Sequence, residues 1–193
     1  MQAKETVIKI AEDTAEQIAI GLDGMFCDYN KRKRKNKKLG EPIIICVGSD
    51  LAIFDAVGPL CGTLLREKLP DVCLFGEFKA LQTAKNIQET AKYIKKEYPN
   101  RLVIAIDAAL HEERVGDIKI INQPLKPGTG AKKDLGEVGE ITIMGITERK
   151  TNGIRNGIFN NTTRLGMVYE MADAISDGVV LFLKKWRKNN QTT

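Results

Sequence analysis

Pro42-Ile43-Ile44-Ile45-Cys46-Val47-Gly48-Ser49-Asp50 decides the fold. A run that is apolar at every position, cut off by Gly-Ser-Asp, reads as a strand covered on both faces, and so as part of a parallel sheet. The pattern returns at Leu102-Val103-Ile104-Ala105-Ile106, which ends in Asp107. Between the two runs, Val57, Leu60, Cys61, Leu64 and Leu65 recur at helical spacing, with Pro59 tolerated in the first turn. Pro70-Asp71 stops that helix, and Val72–Phe75 is a short strand ending at Gly76. Leu81, Ala84, Ile87, Ala91 and Ile94 then predict a polar-faced helix over 80–98, closed by Tyr98-Pro99-Asn100. The alternation β–α–β–α–β implies right-handed parallel crossovers.

Outward from this unit, Val7, Ala11, Ile18, Leu22, Met25 and Phe26 predict an N-terminal amphipathic helix over 5–27. A basic linker over 31–40 follows, and Gly40-Glu41-Pro42 enters the first strand. Ile118, Ile120 and Ile121 suggest another strand, and Ile141-Thr142-Ile143-Met144-Gly145-Ile146 a further one. The last helix carries Leu165, Val168, Ala172, Ile175, Val179, Phe182 and Trp186 at spacings of three and four. Its basic end, Lys184-Lys185-Trp186-Arg187-Lys188, suits the negative pole of the helix dipole. The expectation is one domain over 1–193, with its core in 42–186, and no internal repeat.

The net charge of +5 is a local effect, because seven of the eight residues 31–38 are Lys or Arg. Such a run can meet phosphate or acidic protein, or simply be solvated. Without interleaved aromatics it lacks the stacking signature of a single-strand binder. No apolar stretch is long enough to span a bilayer. Met-Gln-Ala-Lys-Glu begins no signal-peptide core, so a cytoplasmic location is expected. Cys27, Cys46, Cys61 and Cys73 form no CxxC pair, and His111 is the one histidine, so a Cys/His zinc site is not expected. The thiols read as reduced core residues.

Parallel topology brings the ends of the two apolar strands to one edge of the sheet, where open α/β sheets bind ligands. Asp55, in the turn Gly48–Pro59, and Asp107 are therefore a candidate catalytic pair. Carboxylates forced together cannot both ionise cheaply, so one keeps a proton near neutrality. That leaves a base to activate water and an acid to polarise a carbonyl. Singly, Asp55 also reads as a helix N-cap and Asp107 as a carboxylate bonding the next turn.

Ser49 and Asp50 share the first turn with Asp55. The loop Gln123-Pro124-Leu125-Lys126-Pro127-Gly128-Thr129-Gly130 offers backbone N–H groups as an oxyanion nest, with Lys126 adding positive charge. Asn161 and Arg164, in Asn160-Asn161-Thr162-Thr163-Arg164, either cap the last helix or face the same cleft. His111 reads as an exposed loop residue. Neither glycine loop matches GxGxxG or the Walker pattern, so no nucleotide cofactor is expected.

Taken in order, Gly48-Ser49-Asp50, Asp55-Ala56-Val57-Gly58-Pro59, Ala105-Ile106-Asp107-Ala108, Pro124–Gly130, Gly139-Glu140-Ile141 and Asn161-Thr162-Thr163-Arg164-Leu165 resemble the YyaC-type sporulation proteins. Those proteins are related to the germination protease of spore-forming bacteria and, more distantly, to hydrogenase maturation peptidases. The resemblance runs from about Pro42 to Gly178. It implies a three-layer α/β/α, mostly parallel, phosphorylase/hydrolase-like fold.

It also implies an aspartic-type peptidase in which Asp55 and Asp107 are the catalytic pair. Ser49, Asp50, Lys126, Gly128, Thr129, Gly130, Asn161 and Arg164 would bind substrate or the oxyanion. The implied partners are protein or peptide substrates, small acid-soluble spore proteins among them, in the mother cell or forespore, with homo-oligomers left open and no membrane. No metal or other cofactor is expected. Lys126 stands where the germination protease has histidine, and no histidine matches the metal-binding one of the maturation peptidases. The alternatives are a peptidase fold kept for binding without turnover, or a metal-dependent maturation peptidase.

Overall fold

The computed structural model describes residues 4–33, 39–112, 114–127, 136–149 and 163–191. Its strands are β1 (Glu5–Lys9), β2 (Gly40–Cys46), β3 (Leu74–Phe75), β4 (Arg101–His111), β5 (Asp117–Ile121) and β6 (Ile141–Arg149). Its helices are α1 (Thr14–Lys33), α2 (Val57–Lys68), α3 (Ile87–Glu97) and α4 (Leu165–Gln191), with a short 3-10 turn at Ile53–Asp55. The six strands form one sheet in the order β1-β5-β6-β4-β2-β3. The pairs β3–β2, β2–β4 and β4–β6 are parallel, while β5–β6 and β1–β5 are antiparallel. This is the expected mostly parallel α/β/α arrangement.

The apolar runs behave as their composition dictates. Ile44 and Cys46 on β2, with Leu102, Ile104 and Ile106 on β4, face a large core shared with α1, α2 and α4. Ile43, Ile45 and Val47, with Val103 and Ala105, face a smaller core against Ile87 and Ile94 of α3, and Leu125 and Val138. Successive strand residues point to opposite faces, so only a chain apolar at every position can sit between two such cores. The crossover β2–α2–β3 uses one face, and β3–α3–β4 returns past β2 on the other, as right-handed connections require.

The N-terminal helix predicted over 5–27 is corrected to β1 followed by α1. Glu5–Lys9 pairs antiparallel with β5, burying Ile8 alone among its five residues. Thr14 opens α1, its Oγ1 accepting from the Ala11 N–H at 2.7 Å. The linker predicted over 31–40 is helix through Lys33 and strand from Gly40, and 34–38 lies outside the described residues. The helix predicted over 80–98 is shorter, Ile87–Glu97. The core begins before 42, with Ile8 of β1 and Ile18, Leu22 and Met25 of α1, and among the described residues of α4 it runs to Leu183. Beyond it, Arg187 bonds Glu41 near the start of β2, and Asp71 at 2.9 Å. Among the cysteines, Cys46 and Cys61 are core residues, Cys73 is half-buried and Cys27 is exposed.

Helices α1 and α4 cross where Gly178 presses on Ile18. A Cβ on Gly178 would meet Ile18 Cβ and Cγ2 at 2.6 Å and the Ala15 carbonyl oxygen at 2.9 Å. None of these atoms can rotate away freely. Gly178→Ala should therefore cost about 1–3 kcal/mol by overpacking, lowering the urea midpoint with little change in slope. An unchanged midpoint would mean that the two helices slide apart at no cost.

Candidate active site

β2 ends at Cys46, with Val47 continuing as a single bridge, but β4 and β6 run on together to His111 and Arg149. Asp107 lies at that step. It is not the end of its strand, as the sequence suggested, but a residue within it, paired to Met144 of β6. The apolar run stops at Ile106 because coverage on both faces stops there, whereas the ladder to β6 does not. His111 closes β4 and is half-buried, so it is not a free loop residue.

The chain leaving β2 passes through Gly48 and the 3-10 turn to Asp55, then enters α2. The Val47 N–H donates to the Ile106 carbonyl at 2.7 Å, and the Ser49 N–H to the Asp55 carbonyl at 3.1 Å. The Ser49 hydroxyl accepts from the Leu51 N–H at 3.1 Å, closing the turn. Thr147 of β6 donates to the Phe54 carbonyl at 2.8 Å, which holds the 3-10 turn over the β4–β6 extension. In turn, the Thr163 hydroxyl donates to the Thr147 carbonyl at 3.1 Å, tying the start of α4 to the same point.

Asp55 is not the N-cap of α2. Ala56 occupies that position, with no side-chain cap. The Asp55 carboxylate therefore stands one residue before the positive end of α2, where negative charge is favoured. Gly58 sets how close this end comes to the sheet: a Cβ there would lie 2.0 Å from the Val47 carbonyl oxygen.

Burial pushes the Asp107 carboxyl well above the usual carboxylate range, and the neighbouring Asp55 raises it further. The Ala108 N–H, donating to Asp107 Oδ1 at 2.8 Å, pulls the other way and is the weaker influence. With Oδ1 engaged as an acceptor, Oδ2 is the oxygen left to carry a proton. The two carboxyls are electrostatic neighbours, Asp55 adding to the upward push on Asp107.

The other residues singled out in the sequence fall at different distances from this unit. Ser49 and Asp50 are in the same turn, Ser49 half-buried and Asp50 exposed. Lys126 is 68% exposed, and its Nζ lies 3.4 Å from Glu137. Arg164 is exposed, its carbonyl accepting from the Val168 N–H in the first turn of α4. Gly128, Thr129, Gly130 and Asn161 lie outside the described residues. Among the described residues, no three His, Cys, Asp or Glu side chains are grouped to hold a metal ion. None of the described helices is long and apolar enough to cross a membrane.

One residue here was invisible to sequence reading. Gln82, in the turn region before α3, bridges in parallel to Val47, and its carbonyl accepts from the Gly48 N–H at 2.9 Å. It is 8% exposed, and its Oε1 is buried with no hydrogen-bond partner. A glutamine between Leu81 and Thr83 carries no periodic signal, so it reads as surface.

Fold and site define a three-layer α/β/α protein with a mostly parallel sheet and with Asp55 and Asp107 as electrostatic neighbours at its carboxyl edge. The chain belongs to the family described as "Protein of unknown function (DUF1256)", which matches residues 10–178. It is 35% identical to the uncharacterized protein YyaC of Bacillus subtilis (strain 168), over 79% of this chain and 75% of that protein. The resemblance to YyaC-type proteins is thereby established.

A raised carboxyl has a consequence for stability. Below the ordinary value of 3.8 both folded and unfolded chains hold the Asp107 proton. As pH rises above it, the unfolded chain loses that proton and the native state keeps it, so stability falls until the folded value is reached. Asp107→Asn has no such proton and keeps an acceptor for the Ala108 N–H. Its unfolding free energy relative to wild type should grow from pH 4 to pH 7, by no more than about 1.4 kcal/mol per pH unit. Thermal melts across that range would show a flat or shrinking difference if Asp107 were an ordinary ionised carboxylate.

Proposed function

We propose that this protein is a peptidase of sporulation or germination, cutting peptide bonds by aspartic-type chemistry. The supporting observation is the placing of Asp107 within β4 at the carboxyl edge of the sheet, its carboxyl pushed up by burial and by the neighbouring Asp55. With the proton on Asp107, the charge of the pair rests on Asp55, at the positive end of α2. One group is then a base and the other an acid at the same pH, which is what peptide hydrolysis requires.

In the proposed reaction, Asp55 takes a proton from water as the water oxygen bonds to the peptide carbonyl carbon. Asp107 donates its proton to the carbonyl oxygen, so a neutral gem-diol forms and the charge moves to Asp107. Asp55 then passes its proton to the amide nitrogen as the C–N bond breaks. The gem-diol returns a proton to Asp107, leaving acid and amine products and the starting state of the pair. Small acid-soluble spore proteins are the proposed substrates, on the strength of the likeness to the germination protease.

The test is cleavage of a purified small acid-soluble spore protein, followed by mass spectrometry. Asp55→Asn and Asp107→Asn should each lose at least about 100-fold in rate, the range for removing a general acid or base. Wild-type protein that leaves the substrate whole, or variants that cut it at the wild-type rate, would remove this reading.

A further inference from the structure

β1 ends the sheet, and among the described residues no strand pairs with its outer edge. The Lys4 N–H donates to Asn122 Oδ1 at 2.8 Å, and the Lys4 carbonyl accepts from the Asn122 N–H at 3.2 Å, so Lys4 faces the β5 side. Backbone groups alternate along an antiparallel strand. Those of Thr6 and Ile8 therefore turn inward to β5, and those of Glu5, Val7 and Lys9 turn outward. The Lys9 carbonyl also accepts from the Thr14 hydroxyl at 3.4 Å, which leaves its second lone pair. Free edges are commonly blunted by proline, by a bulge or by charge that repels another strand. β1 has no proline, and its register with β5 is unbroken.

Its charges attract a second copy. Antiparallel pairing centred on Val7 sets Glu5 opposite the partner's Lys9 at both ends, and Thr6 opposite the partner's Ile8. The outward N–H and C=O groups of Glu5, Val7 and Lys9 then meet their counterparts. A slipped register loses both ion pairs, so charge selects the centred one. Glu5 already holds Lys119 at 2.9 Å within its own chain, which keeps its carboxylate at the edge for a second cation.

The covering helix permits this approach. α1 runs back along β1, from Thr14 at the Lys9 carbonyl to Asp28, which pairs with Lys4 at 3.0 Å. It lies over both β1 and β5. A two-fold axis through Val7 then sets α1 and the partner's α1 roughly 10 Å apart, twice the strand spacing and a separation at which helices pack. One side of α1 meets α4 through Ile18, Asp23 and Phe26. The side away from α4 carries Gly21 and Gly24, with Ile20 beside them 71% exposed. A Cβ on Gly24 would meet nothing within 4 Å, so an isoleucine from a facing helix has room there.

We propose that β1 is an interface for a second copy of this chain, joined edge to edge so that two six-stranded sheets become one of twelve strands. The axis is perpendicular to the sheet, which places the two Asp55–Asp107 sites at opposite ends of the pair. The contact uses no residue of the proposed peptidase chemistry and is independent of that reading.

Sedimentation equilibrium of the full chain should give twice the chain mass. Val7→Pro removes an outward N–H that the single chain does not use, and should leave single chains. Lys9→Glu sets glutamates opposite one another at both ends, and Glu5→Lys sets lysines there. Each should weaken the dimer by about 10-fold or more. Mixed in equal amounts, these two variants are complementary and should associate far more tightly than either alone, a recovery that misfolded chains would not show. Wild type at the single-chain mass, a Kd that none of the three substitutions shifts, or a mixture no tighter than its components would each overturn the proposal.

Discussion

The contact on which the site depends is the approach of Gly58 to the Val47 carbonyl. With a Cβ position 2.0 Å from that oxygen, only glycine lets the first turn of α2 rest on the end of β2. Everything upstream in the turn is placed by that contact. Asp55 is fixed three residues before Gly58, and Ser49 N–H closes back on the Asp55 carbonyl. A helix held further off would carry Asp55 away from Asp107 and relieve the repulsion that, after burial, raises the Asp107 carboxyl. The price of the arrangement is local: one position that tolerates no side chain.

The fold was legible where burial is two-sided and obscure where it is one-sided or absent. β2 and β4 announced themselves because both faces are apolar, and their parallel pairing followed. β1 did not, since among its five residues only Ile8 is buried, and Val7 and Ala11 happened to continue the stripe of α1 toward the N-terminus. The end of α1 was misplaced for a related reason. Lys31 and Arg32 are exposed on a helix that packs by residues further back, so their charge said nothing about its termination. Asp107 was taken for a strand end because sequence shows where apolar cover stops, not where hydrogen bonding stops.

For the site, the pair of aspartates was legible because each is a charged residue immediately beyond a buried strand or in the turn that follows one. Their division of roles was not. Asp55 reads as a helix cap, but the cap position belongs to Ala56, one residue further on. Gln82 was out of reach for a different reason. What sets it apart is a parallel bridge to Val47 and an unsatisfied buried Oε1, two properties that exist only once the chain is folded.

The three layers are unequal, and the inequality separates stability from chemistry. Helices α1, α2 and α4 cover one face and enclose the larger core. Among the described residues, the other face is covered by α3, supplemented by Leu125 and Val138 from the connection between β5 and β6. Asp107 shares this face by the alternation of β4, as do Val47 and Gln82. Among the described residues this face is the thinner layer, and the larger core on the other face, through Val57 of α2, braces the helix end beside which Asp55 stands.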